Sequence, residues 1–119
     1  MIARIWHGVT EAKKSEEYLD YLEETGVPDY WATQGNRGVY VLCRTVGDRA
    51  HFLTLSFWDS IDDVKRFAGQ DPDRAKYYPA DEQFLLDFEP TVEHYEVAVG
   101  PERDLRTAVG AGSADQVDG

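Results

Sequence analysis

Residues 51–69, His51 to Gly69, read HFLTLSFWDSIDDVKRFAG, and this stretch decides the fold. Phe52, Thr54, Ser56 and Trp58 alternate with Leu53, Leu55 and Phe57. Both registers are mostly apolar, the pattern of a strand covered on both faces. Asp59 and Ser60 break that pattern. A serine at 60 can cap a helix, with Asp63 in the first turn where the helix dipole favours a carboxylate. Ile61, Val64, Phe67 and Ala68 then fall at helical spacing, and Gly69 supplies the stop. A strand thus feeds directly into a helix. Trp58 stands at the corner between them, where a pocket is expected.

On the N-terminal side, Gly47-Asp48 is a two-residue hairpin signal. It predicts a strand over 39–46 pairing antiparallel with the strand over 50–58. Ile2 to Gly8 reads as a first strand, with Ile2, Arg4 and Trp6 on one face and Ala3, Ile5 and His7 on the other. Ser15 to Thr25 reads as a helix with Tyr18, Leu19 and Leu22 as its apolar stripe, stopped by Gly26 and Pro28. Val27 to Gly38 then reads as a long loop carrying Tyr30, Trp31, Asn36 and Arg37. Such a loop either caps the core or contributes to a site.

On the C-terminal side, Asp71-Pro72 predicts a short helix bearing Arg74, Ala75, Tyr77 and Tyr78 and ending before Pro79. A turn or two follows over 81–87, then a last strand from Thr91 to Val99. The order is β-α-β-β-α-β, a ferredoxin-like α+β domain with one antiparallel sheet. The last strand is expected beside the second, with the first and third at the centre. The helices suffice for one sheet face. The other is too apolar to leave in water, so a homodimer, sheet against sheet, is expected. Residues 1–99 form this domain, and 100–119 are a polar tail expected to be mobile at its end.

A chain of 119 residues fits one domain. Its net charge of −11 speaks against nucleic acid and against anionic membrane surfaces. No apolar run is long enough to span a bilayer and no leader pattern is visible, which gives a cytoplasmic expectation. The single cysteine, Cys43, lies mid-strand and reads as a buried, inert thiol.

The chemistry-capable residues match no metal, phosphate-loop or nucleophile motif, so no zinc site, nucleophilic triad or phosphate loop is expected. What remains is a set of aromatics with a few polar groups, the usual make-up of a small-molecule site. Trp58 serves either core packing or substrate contact. His94 is the candidate base, or else a structural partner of Glu93 or Glu96, and His7 carries the same ambiguity. One of Tyr77 and Tyr78 must point inward, with a hydroxyl needing a partner. Asn36 and Arg37 serve either a turn or the site. If the alternate register holds, Tyr95 faces the helices and His94 the dimer core.

The strand end LSFWDS, the DDVKRFAG helix, the YYPADEQF segment and the closing VEHYEV strand resemble the antibiotic biosynthesis monooxygenase family, over Met1 to about Val99. The resemblance implies a dimeric α/β barrel. It also implies a cofactor-free monooxygenase that oxidises a phenolic or hydroquinone-like aromatic with O₂. On this reading His94, Tyr77 and Tyr78 are catalytic, and Trp58, Trp31, Asn36, Arg37, His7 and Phe67 contact substrate. The alternatives on the same scaffold are a non-catalytic small-molecule-binding dimer or a haem-binding relative. The haem-degrading branch has an Asn on the first strand, a Trp on the second helix and a His on the helix after it. Here the matching stretches offer Trp6 or His7, Phe67, and Tyr77, which speaks against haem as substrate. A tyrosine could still ligate iron.

Overall fold

The computed structural model describes residues 1–101. Strand β1 spans Ile2–Glu11, and a single 3₁₀ turn leads into helix α1, Ser15–Glu24. Helix α2 covers Gly26–Ala32, strand β2 Asn36–Val46, β3 Arg49–Trp58, helix α3 Ile61–Ala68 and strand β4 Glu93–Glu96. Residues 97–101 follow β4, so the expected 1–99 domain lies within the described residues, and the expected 100–119 tail is described only at Gly100 and Pro101. The remainder of the 100–119 tail lies outside the described residues. Among the described residues no helix is long and apolar enough to cross a membrane.

The four strands form one antiparallel sheet in the order β2-β3-β1-β4. This is the ferredoxin-like α+β arrangement. The last strand lies beside the first and not, as expected from sequence, beside the second. The hairpin at Gly47, whose φ is +60°, pairs β2 with β3, and β1 occupies the other edge of β3. A right-handed crossover from β3 through α3 must step over β1 to reach a free edge parallel to β3. That edge belongs to β1.

Strand alternation sorts the sheet into two faces. Trp6, Phe52, Thr54, Ser56 and Trp58 are buried toward the helices. Around them pack Tyr18 and Leu22 of α1, Tyr30 of α2 and Val64 and Phe67 of α3. Each such side chain contributes on the order of 1.5–3 kcal/mol by burial. Ring contacts add definition: Tyr18 meets Phe52 edge-on at 5.0 Å, and Tyr30 stacks on Phe67 at 4.3 Å. Gly8 leaves room for the Trp6 ring, which a β-carbon there would strike. Ser60 caps α3 as its position suggested, its Oγ accepting from the Asp63 amide.

Four local expectations need correction. The supposed loop after Gly26 begins with helix α2. The chain pauses for one residue at Thr25, whose hydroxyl donates to the Tyr21 carbonyl, and then resumes. Pro28 sits in the first turn, where a missing N–H costs nothing. Conversely, no helix forms over 72–78. The Ala75 amide donates to the Pro90 carbonyl and the Val92 amide to Asp73, so this segment is pinned alongside the approach to β4. These long-range bonds outcompete a helix of barely two turns. Strand β4 is accordingly shorter than Thr91–Val99. Finally, Cys43 is exposed. It is opposite Phe52 but on the edge strand β2, whose residues 42–46 are all exposed.

Candidate functional site

The densest gathering of polar chemistry lies between the sheet and the helices, at the β1–β4 side. Strand β1 projects Arg4 and Trp6 into this layer, α2 contributes Tyr30 and Asp29, α3 contributes Phe67, and the segment over 72–78 crosses the top. A small cavity of about 30 Å³ is lined by Arg4, Trp6, Tyr18, Leu22, Gly26, Tyr30, Thr54, Phe67, Lys76, Tyr78 and Asp81. It has the volume of about one water, far below the roughly 300–1,000 Å³ of a typical ligand pocket. Its walls are aromatic and its polar groups converge.

Arg4 is buried to 1 % exposure. Its Nη2 donates to the Arg74 carbonyl at 2.9 Å, and its guanidinium carbon lies 5.3 Å from the centroid of the Phe67 ring. Among the described residues its Nε has no partner. Burial pushes its pKa down, but a guanidinium stays charged. Directly across the β1–β4 pair from Arg4 is His94. The register therefore places His94 on the helix side, and Glu93 and Tyr95 on the outer face. The His94 side chain is 10 % exposed, with Nδ1 3.0 Å from Asp73 Oδ1. A carboxylate there holds the Nδ1–H tautomer, and leaves Nε2 as a buried acceptor without a partner among the described residues. Burial pushes the His94 pKa below its ordinary value of 6.5 and the Arg4 charge pushes the same way, against the raising effect of Asp73. Burial and the Arg4 charge thus both favour the neutral imidazole.

Asp29 closes the layer from α2. It accepts from Lys76 Nζ at 2.6 Å and from the Tyr78 hydroxyl at 2.5 Å. Burial raises its pKa, but those two hydrogen bonds and the Lys76 charge outweigh burial and hold it below the usual carboxylate value. Lys76 also donates to the Phe67 carbonyl and sits 4.5 Å from the Phe67 ring centroid. Lys76 and Tyr78 thus form a cover clamped to α2. Asp81, buried within the 3₁₀ turn Pro79–Gln83, accepts from the Tyr78 amide at 2.5 Å, and burial raises its pKa.

The residues expected from sequence divide accordingly. Tyr78 and Phe67 line the cavity, and His94 stands beside it through Arg4. Burial raises the pKa of the Tyr78 hydroxyl, with Asp29 adding to it, so this hydroxyl is a donor. Tyr77 is adjacent: its hydroxyl donates to the Glu89 carbonyl, its ring meets Trp6 at 70°, and burial raises its pKa. Trp58 is fully buried in the neighbouring core cluster, its Nε1 donating to Ser56 Oγ at 2.9 Å.

The others lie elsewhere. Trp31 is 67 % exposed on α2. Asn36 shapes the start of β2, its Oδ1 accepting from the Gly38 amide, and Arg37 pairs with Asp59 on the surface at 2.7 Å. His7 is on the opposite sheet face, with Nδ1 2.5 Å from Glu89 and Nε2 3.1 Å from His51 Nδ1. That histidine pair borders a broad depression of about 460 Å³ on the outer face, lined also by Leu42, Arg44 and Leu53. Among the described residues no group of three His, Cys, Asp or Glu side chains could hold a metal ion.

Arg4 is the residue that reading the sequence passed over. It had a signal: a charged side chain between Ile2 and Trp6 on the apolar face of a central strand. Lys76, Asp29 and Asp73 had none, because their partners are distant in sequence.

No family model matches the chain, and no curated protein matches its sequence. Among solved structures it is similar to MhuD, as seen in the crystal structure of an arginine-to-serine mutant with two manganese protoporphyrin IX bound per active site. The likeness has a TM-score of 0.55 at 13% identity and covers 87% of this chain and 100% of that one. At that identity it shows the fold, and the fold agrees with the ferredoxin-like architecture described above.

Proposed function

We propose that this chain is a cofactor-free oxygenase of the antibiotic biosynthesis monooxygenase type, acting on a phenolic or hydroquinone-like small molecule. The observation that carries the reading is His94: Nδ1 held by Asp73, Nε2 buried and unpartnered, and the ring kept neutral beside an aromatic layer. That is the arrangement of a general base. His94 Nε2 takes the phenol proton, and Asp73 stabilises the imidazolium. The phenolate gives one electron to O₂, and the two radicals join as a ring peroxide. Loss of water leaves the quinone, so a phenol and O₂ become a quinone and water. The ring must first displace the Lys76–Tyr78 cover, since the cavity as it stands takes no ring.

The likeness to MhuD favours a second reading, porphyrin binding, but the residues here do not fit it. The layer is filled by Trp6, Tyr18, Tyr30 and Phe67, and the cavity lining contains no histidine. The Tyr77 hydroxyl is committed to the Glu89 carbonyl. Haem titration should therefore give no sharp Soret shift.

The chain is further proposed to act as a homodimer through the outer sheet face, to meet its small aromatic substrate and O₂ in each subunit, and to work in the cytoplasm. Oxygen uptake with a panel of hydroquinones tests the activity. On an active substrate, His94→Ala should lower turnover by roughly 10²–10⁴ with little loss of stability. Turnover that survives this substitution, or a panel without oxygen uptake, ends the proposal.

A further inference from the structure

Among the described residues, no carboxylate is hydrogen-bonded to the buried Arg4 guanidinium, whose Nε is left without a partner. Buried cations are ordinarily paired with a carboxylate. Among the described residues, every nearby acid is engaged elsewhere: Asp73 with His94, Asp29 with Lys76 and Tyr78, Asp81 with the Tyr78 amide. Arg4 has one carbonyl acceptor, one aromatic ring, and an Nε–H without an acceptor. It lines a cavity with room for about one oxygen atom, among the rings of Trp6, Tyr30 and Phe67.

We propose that Arg4 is the oxyanion holder of this site, which binds a small phenol and stabilises it as the phenolate, the ionised oxygen accepting from the Arg4 guanidinium. The inference deepens the oxygenase reading and rests on its choice of site. It concerns binding and proton position only, and specifies the form in which the ligand is held. The phenol O–H bond breaks, an N–H bond forms at His94 Nε2, and no electron is transferred in this step. The donor Nε–H of Arg4 and the acceptor Nε2 of His94 lie on directly opposed residues of one strand pair, neighbours in side-chain reach. A hydroxyl satisfies both at once, accepting from one and donating to the other; a carboxylate satisfies only Arg4. Whole-molecule charge selects the same way. At −11 the protein repels free anions, whereas a neutral phenol approaches freely and acquires its charge inside.

The probe is 4-nitrophenol, whose phenolate is yellow, titrated with the full chain at a pH where the free dye is mostly protonated. Binding should enrich the yellow form about tenfold over free dye, the effect of an adjacent cation on an ionising oxygen. Arg4→Gln and Arg4→Met should abolish the enrichment, and Arg4→Lys should keep part of it. Benzoate should compete less well than unsubstituted phenol. Wild-type protein that binds no dye, or binds it without colour, overturns the inference by itself, even if a variant fails to fold. Equal enrichment in Arg4→Gln, or benzoate competing better than phenol, also overturns it. Dye ionisation without oxygen uptake on any hydroquinone sinks the oxygenase reading and leaves this one. Undiminished oxygen uptake in Arg4→Gln sinks this one and leaves the oxygenase.

Discussion

The two faces of the sheet use the same strands for opposite ends. The helix-side face buries Trp58, Phe52 and Trp6 with a charged arginine among them. The outer face leaves Tyr40, Leu42 and Tyr95 exposed and Ile5, Leu53 and Leu55 half-buried. One face holds Arg4 and His94 buried inside it; the other is apolar in the open and keeps His7 paired with His51 and Glu89. Covered area therefore does not mark chemistry here. What marks it is a polar group that burial leaves without a partner, and the outer face has no counterpart to Arg4 Nε or His94 Nε2 among the described residues.

The largest test of this contrast is stability. Trp58→Ala, deep in the helix-side core, should cost about 3–5 kcal/mol in urea denaturation. Leu55→Ala on the outer face should cost clearly less in a monomer. If the outer face is a dimer interface, the cost of Leu55→Ala should grow with protein concentration. A cost near that of Trp58→Ala at all concentrations would mean the outer face is already covered within one chain.

Self-association comes next. Sedimentation should show a dimer at micromolar concentration, and Leu53→Asp should weaken it by at least about 100-fold, roughly 2.7 kcal/mol, by placing a carboxylate in an apolar contact. A wild-type monomer under those conditions would remove the role given to the outer face. Arg4→Met points the other way. Replacing a buried, unpaired charge by an apolar side chain of similar length should stabilise the free protein by about 1–4 kcal/mol. If it destabilises instead, Arg4 is a packing element of the core and the contrast between the faces loses its sharpest member.

The smallest expected effect is in pH. The folded-state pKa of His94 lies below 6.5 because of burial, so the unfolded chain takes up the proton first as pH falls. Its contribution to stability is present above about pH 6.5 and declines as pH drops through the folded-state pKa. Comparison of wild type with His94→Gln should show that difference in denaturation midpoints between neutral and mildly acidic buffers. In Arg4→Met the window should move toward neutral pH, because the lowering effect of the Arg4 charge is gone. A pH response identical in wild type and His94→Gln would show that this imidazole is not the titrating group.

Much of the fold was legible in local pattern. Two-sided apolar alternation over 52–58, the Gly47-Asp48 turn and the Ser60 cap are each settled within a few residues, and local sterics and hydrogen bonding suffice to specify them. So the sequence by itself determined the element types, the hairpin, α3 and the existence of one face too apolar for water. Tertiary structure decided the rest. Helix α2 overrode a Gly-Val-Pro stop, the segment over 72–78 gave up a helix for long-range bonds to 90–92, and β4 joined β1, the edge that a right-handed crossover from β3 reaches. Tyr78, Phe67 and His94 were legible as candidates, but their assembly around Arg4 belongs to this second group. Arg4 and His94 are 90 positions apart in the chain and opposite one another in the sheet. Which face His94 occupies depended on a register that alternation allows in two ways. A partner that burial withholds is a property of the packed layer, and no stretch of sequence contains it.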